Sequence, residues 1–90
     1  MDRICRHYIV TGCVQGVWFR DSTKKRADEL NITGWVKNME AGKVEVLACG
    51  EPEVIDQLEQ WLESGPMLAK VDKVISEKLP YKEHLKFEIK

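Results

Sequence analysis

Apolar positions along the chain switch between two periods, and the switches mark the elements. "ICRHYIV", residues 4–10, is short, β-branched and aromatic, and it stops at Thr11-Gly12. That predicts a first strand. A glycine-bearing loop follows. Beyond it Phe19, Thr23, Ala27 and Leu30 recur near helical spacing, which predicts a helix capped by Asp21 or Ser22 and running to about Leu30. Asn31 suits the left-handed position after a helix. "ITGWVKNM" predicts a second strand, "EAG" a tight turn, and the alternating "KVEVLACG" a third strand. A second helix has Pro52 in its first turn, with Glu51, Glu53 and Asp56 at the positive end of its dipole. Val54, Leu58, Trp61 and Leu62 make its apolar face, and Ser64-Gly65-Pro66 ends it. "KVDKVIS" predicts a fourth strand and "LKFEIK" a short last one.

The order β-α-β-β-α-β plus a terminal strand points to an α+β fold. Its natural solution is the split βαβ, or ferredoxin-like, sandwich: an antiparallel core sheet with both helices on one face. Strand one then lies between strands three and four. Strands one and two run the same way, so the loop after strand one and the far end of strand two meet at one edge of the sheet.

Composition narrows the function. Ninety residues make a single domain, residues 1–90, with a modest core. Lys and Arg number 14 against 15 Asp and Glu, a formal net charge of −1. A dedicated nucleic-acid binder normally carries a basic excess. RNA-recognition domains share this strand order but need aromatic platforms on strands one and three. The open faces of those strands would show Cys5, His7 and Ile9 beside Glu45, Leu47 and Cys49. No apolar run approaches a membrane span, and "MDRICRHY" has charges where a signal peptide needs apolar residues. A cytoplasmic monomer is expected, with no nucleic acid and no membrane as partner. Cys5, Cys13 and Cys49 lack CxxC spacing, and His7 and His84 stand apart from them, which argues against zinc. Asp21, Glu40 and Glu51 read as scattered surface carboxylates rather than magnesium ligands. No metal and no cofactor are expected. "KKRADE" reads as the solvated face of the first helix, and Trp35 and Trp61 as core residues.

The candidate chemistry sits in "GCVQGVWFRD", residues 12–21. Gly12 and Gly16 let the backbone curl and approach a ligand closely. Successive N–H groups in such a curl make a concave anion site, to which a helix N-terminus adds. Arg20 can fork onto two phosphoryl oxygens. Asn38 ends strand two at the same edge. Taken singly, the loop also fits an ordinary strand-to-helix connection and Asn38 an ordinary turn residue. Two rivals fail on spacing. A Walker loop needs GxxxxGK[ST], whereas Gly16 follows Gly12 by four and no lysine comes next. A cysteine phosphatase has Cys-x5-Arg, whereas six residues separate Cys13 from Arg20.

"GCVQGVWFR" followed by "LNITGWVKN", "GKVEVLACG" and "WLESGPMLAKV" closely resembles the acylphosphatase family. The match covers nearly the whole chain, and VQGVxFR with GWVxN in this order and spacing is specific. The resemblance implies a ferredoxin-like fold and hydrolysis of the carboxyl–phosphate bond of small acyl phosphates, giving carboxylate and inorganic phosphate. It implies that the backbone of Cys13, Val14, Gln15, Gly16, Val17, Trp18 and Phe19 cradles the phosphate. Arg20 matches the family's phosphate-binding arginine and Asn38 its water-positioning asparagine. Trp18 fills the variable position of the motif. The competing reading is a phosphate- or carbamoyl-phosphate-binding module of the same fold that does no catalysis of its own.

The strand register carries one more expectation. Cys5 near the start of strand one and Cys49 near the end of strand three fall opposite each other on the open face. Opposed antiparallel residues lie roughly 4.5–5.5 Å apart at Cα, within disulfide range. Closing that loop would contribute about 4 kcal/mol on the chain-entropy model. A cytoplasmic setting favours two reduced thiols instead.

Overall fold

Alternation along two strands decides which face of the sheet is buried. The computed structural model describes residues 2–90. In it Tyr8 and Val10 of β1 (Ile4–Cys13) and Val44, Val46 and Ala48 of β3 (Val44–Gly50) are fully buried on one face. That face carries α1 (Phe19–Glu29) and α2 (Pro52–Ser64). Val36 of β2 (Thr33–Asn38) and Phe87 of β5 (Phe87–Ile89) complete the core with Phe19, Ala27, Ile55, Leu58 and Leu62. The sheet runs β4-β1-β3-β2-β5, with β4 spanning Lys70–Leu79. Its first four strands pair antiparallel, and β5 lies parallel to β2 at the edge. This is the ferredoxin-like α+β sandwich expected from the element order.

Several local expectations are corrected. The first helix does not wait for Asp21 or Ser22 to cap it. It starts at Phe19, with Trp18 as a left-handed N-cap and no side-chain cap, and Ser22 N–H donates to Trp18 O at 2.9 Å. Core burial of Phe19 and Thr23 overrides capping preference, and Thr23 Oγ1 donates back to Phe19 O at 2.7 Å. On α2 the face rotates by about one residue: Ile55, Leu58 and Leu62 are buried, while Val54 and Trp61 flank them. β1 also runs past Gly12 to Cys13. Gly12 sits at an irregularity in the β1–β4 ladder, where a Cβ would stand 2.1 Å from Lys70 O. Its glycine is required by strand pairing. Asn31 does adopt the left-handed conformation after α1, at φ 57.

The opposite face of the sheet is not fully open. Cys5 and Cys49 are register partners and are disulfide-bonded. They are 2 % and 1 % exposed. The β4–β5 connection covers them: Lys82 N–H donates to Cys5 Sγ at 3.3 Å, and His84 Nδ1 is 3.8 Å from Cys49 Sγ. Further along this face His7 Nε2 and Glu45 Oε2 are 2.6 Å apart. Trp35 lies here rather than in the core, with the Lys37 and Lys90 ammonium groups 5.1 and 5.7 Å from its ring. On the helix side Arg6 bridges to Asp56 and Glu59 of α2, and Tyr8 O–H donates to Glu59 at 3.0 Å. Burial and the neighbouring Glu59 carboxylate push the Tyr8 phenol well above its ordinary pKa. No helix among the described residues is long and apolar enough to cross a membrane.

Candidate active site

The site end of the sheet is fixed by register. Asn38 pairs with Val44 at one end of β2, whereas Thr33 pairs with Cys49 at the other. The disulfide and the loop after β1 therefore lie at opposite ends. Between Cys13 and Phe19 the chain leaves the sheet, turns and enters α1. Gly16 has φ 72 and Trp18 φ 63. A Cβ on Gly16 would meet no atom within 4 Å, so the glycine answers to backbone conformation and to whatever approaches from outside. Among the described residues, none of the backbone N–H groups from Gln15 to Phe19 donates to a backbone carbonyl outside the regular elements. Unpaired donors at a helix N-terminus suit an anion.

The loop is tied down from one side. Gln15 Nε2 donates to both Met39 O and Lys43 O at 2.9 Å. These carbonyls flank the short 3-10 turn Glu40–Gly42, where Ala41 is left-handed. The amide thus fixes the loop against the β2–β3 turn that follows Asn38. Arg20 is held from the other side. Its Nη1 donates to Lys90 O at 3.3 Å, a long bond that orients the guanidinium and leaves its remaining donors free. Lys24 Nζ reaches Phe87 O at 2.9 Å and fastens the same helix to β5.

A cavity of about 280 Å³ opens between these parts, lined by Val14, Gly16, Trp18, Phe19, Arg20, Asp21, Asn38 and Ile89. Of the residues singled out from sequence, it gathers Val14, Gly16, Trp18, Phe19, Arg20 and Asn38. Cys13 does not line it; it is an exposed strand residue and a free thiol. Gln15 and Val17 do not line it either, Gln15 serving as the brace described above. Sequence reasoning missed Asp21 and Ile89 as lining residues. Asp21 could have been flagged as Arg20's neighbour, but Ile89 reaches the site only because β5 adds to β2 in parallel. A second cavity, of about 390 Å³, is lined by Arg3, Glu51, Tyr81, His84 and Cys49 among others and lies at the disulfide end. Glu51 therefore has no access to the Arg20 site, and Glu40 lies on the 3-10 turn.

Fold and site together define a small α+β sandwich with a pocket at one end of its sheet, where Gly16, Arg20 and Asn38 meet. The family model for acylphosphatase matches residues 6–89. An acylphosphatase of Pseudomonas paraeruginosa is 52 % identical over 80 residues, 89 % of this chain and 88 % of that one. One from Legionella pneumophila strain Paris is 43 % identical over 86 residues, 96 % of this chain and 94 % of its own. The solved acylphosphatase of Coxiella burnetii superposes with a TM-score of 0.95 at 44 % identity, covering 99 % of this chain and 94 % of that one. The chain belongs to the acylphosphatase family.

Proposed function

We propose that the chain hydrolyses the carboxyl–phosphate bond of small acyl phosphates. The observation that carries this is the meeting of Gly16, Arg20 and Asn38 around one cavity although they come from a loop, a helix and a strand end. The unpaired N–H groups of the loop and the Arg20 guanidinium receive the phosphoryl oxygens. Asn38, a neutral amide that both donates and accepts, holds a water in line with the bond. The leaving carboxylate departs without a proton, so no acid is required of the protein. The water's proton passes to a phosphoryl oxygen of the substrate. What remains is charge stabilisation and placement, which is most of what phosphoryl transfer asks.

The first test is hydrolysis of acetyl phosphate by the pure protein with a chelator present. No turnover would favour the non-catalytic phosphate-binding module instead. A second test is the Asn38→Ala variant. It should lose about tenfold to a hundredfold in kcat, the scale of a misplaced reactant, while inorganic phosphate still binds. Collapse of phosphate affinity alongside kcat would assign Asn38 to the phosphate grip.

The pH dependence of kcat should be flat through the neutral range, where only histidine normally titrates. His7 is engaged with Glu45 on the far face, and His84 stands beside Cys49 at the other end of the sheet. A steep loss of kcat that disappears in His7→Gln or His84→Gln would overturn the substrate-assisted proton path.

A further inference from the structure

A phosphate grip does not account for Trp18. The side chain is 71 % exposed, and its backbone is left-handed at φ 63, ψ 20. A bulky residue in that conformation is strained, and a large ring in water forgoes burial. Strain held in place beside a site is a pointer to use. The strain is imposed by α1, whose first bond runs from Ser22 N–H to Trp18 O. Trp18 lines the same cavity as Arg20 and Asn38. Val14 and Phe19 of the lining are buried, so Ile89, 38 % exposed on the edge strand, is the second exposed apolar residue of that cavity. A phosphoryl group held by the loop and Arg20 must direct its acyl substituent away from those polar donors, which leaves it the apolar lining.

We propose that Trp18, with Ile89, forms the acyl subsite and makes the protein prefer acyl phosphates with aromatic or bulky apolar acyl groups over acetyl phosphate. This rests on the phosphate-receiving role proposed above for the loop and Arg20. A planar acyl group stacks on the indole face, an arrangement open to an exposed ring on a fixed backbone. Acetyl is too small to cover it. Trp18 is thereby a specificity-determining residue, and the phosphate grip is common to all substrates.

The experiment compares benzoyl phosphate with acetyl phosphate in the wild type, Trp18→Gly and Trp18→Phe, reading kcat/KM for each. Calorimetry of benzoylphosphonate and acetylphosphonate gives affinities that need no turnover. The wild type should favour the benzoyl compound about tenfold, the scale of one aromatic pair. Trp18→Gly, which relieves the left-handed strain, should abolish that preference, and Trp18→Phe should keep most of it. Any effect on the cradle itself falls on both substrates and cancels in the ratio. A ratio that survives Trp18→Gly, or a wild type without preference, overturns the subsite and leaves the hydrolase reading standing. Trp18-dependent phosphonate selectivity in a protein that hydrolyses neither substrate overturns the hydrolase and upholds the subsite.

Discussion

Arg20→Lys should leave a folded protein whose kcat/KM for a small acyl phosphate is lower by about 100- to 1,000-fold, the scale of deleting one transition-state donor. Lysine keeps the positive charge but replaces a planar fork with a point charge. The fork matters because developing charge spreads over several phosphoryl oxygens, and two parallel N–H bonds fix their orientation as well as their charge. Lysine also lacks the further nitrogens that Arg20 keeps available beside the cavity while Nη1 holds Lys90 O. The fold should scarcely notice, since that 3.3 Å bond is exposed and long. Urea midpoints for the two proteins should therefore agree while the rates diverge. A well-folded Arg20→Lys protein within tenfold of wild-type kcat/KM would remove Arg20 from the proposed mechanism.

Gly34→Ala should do the reverse and damage the fold before any chemistry is measured. Gly34 has φ 134, and an added Cβ would stand 1.9 Å from Leu47 O and 2.8 Å from Leu47 C. Leu47 belongs to β3, which is paired on both sides, so its backbone cannot withdraw. Gly34 is itself flanked by Ala48 and Phe87. Backbone strain and a main-chain collision together should cost about 4 kcal/mol, near the top of what single substitutions do. Small domains have about 5–15 kcal/mol in total, and one of this size sits low in that range. The urea midpoint should fall accordingly, about a thousandfold in the folding equilibrium. Gly50→Ala is the control. Its backbone is not left-handed, and its new Cβ would meet side chains at 3.7–4.0 Å, an ordinary contact. It should shift stability by no more than about 1 kcal/mol. Equal effects at the two glycines would mean that backbone freedom, not collision, governs Gly34. The glycine of "GWVKN" would thus be required by the sheet, while Asn38 is the residue of that stretch that lines the cavity.

The candidate site was largely legible because the residues that meet at its cavity are concentrated in two short runs. "VQGVWFR" holds the turn, the helix start and the guanidinium within seven residues, and "GWVKN" ends on the asparagine. Alternation in β1 and β3 was enough to assign faces, and with them the Cys5–Cys49 register. Errors came where one residue could satisfy two demands. Trp35 is aromatic and reads as core, but its strand position points it to the far face under two lysines. Gly12 reads as part of the ligand loop, yet the β1–β4 ladder claims it.

Periodicity, turn residues and helix-end residues are local properties, and they alone determined the element order, the sandwich fold and the placing of Arg20 and Asn38 at one edge. Contacts between distant segments were decided only by the tertiary structure. Nothing in "LKFEIK" says that it will pair in parallel with β2, which brings Ile89 to the cavity and Lys90 O to Arg20. Nothing near Gln15 says that its amide will hold the carbonyls of Met39 and Lys43. The connection across the disulfide is equally silent in sequence, because a loop is placed by what it covers. Trp18 shows the division at a single residue. Its exposure and left-handed backbone follow from where α1 begins, and that start is fixed by burying Phe19 and Thr23 against the sheet rather than by any capping residue in the loop.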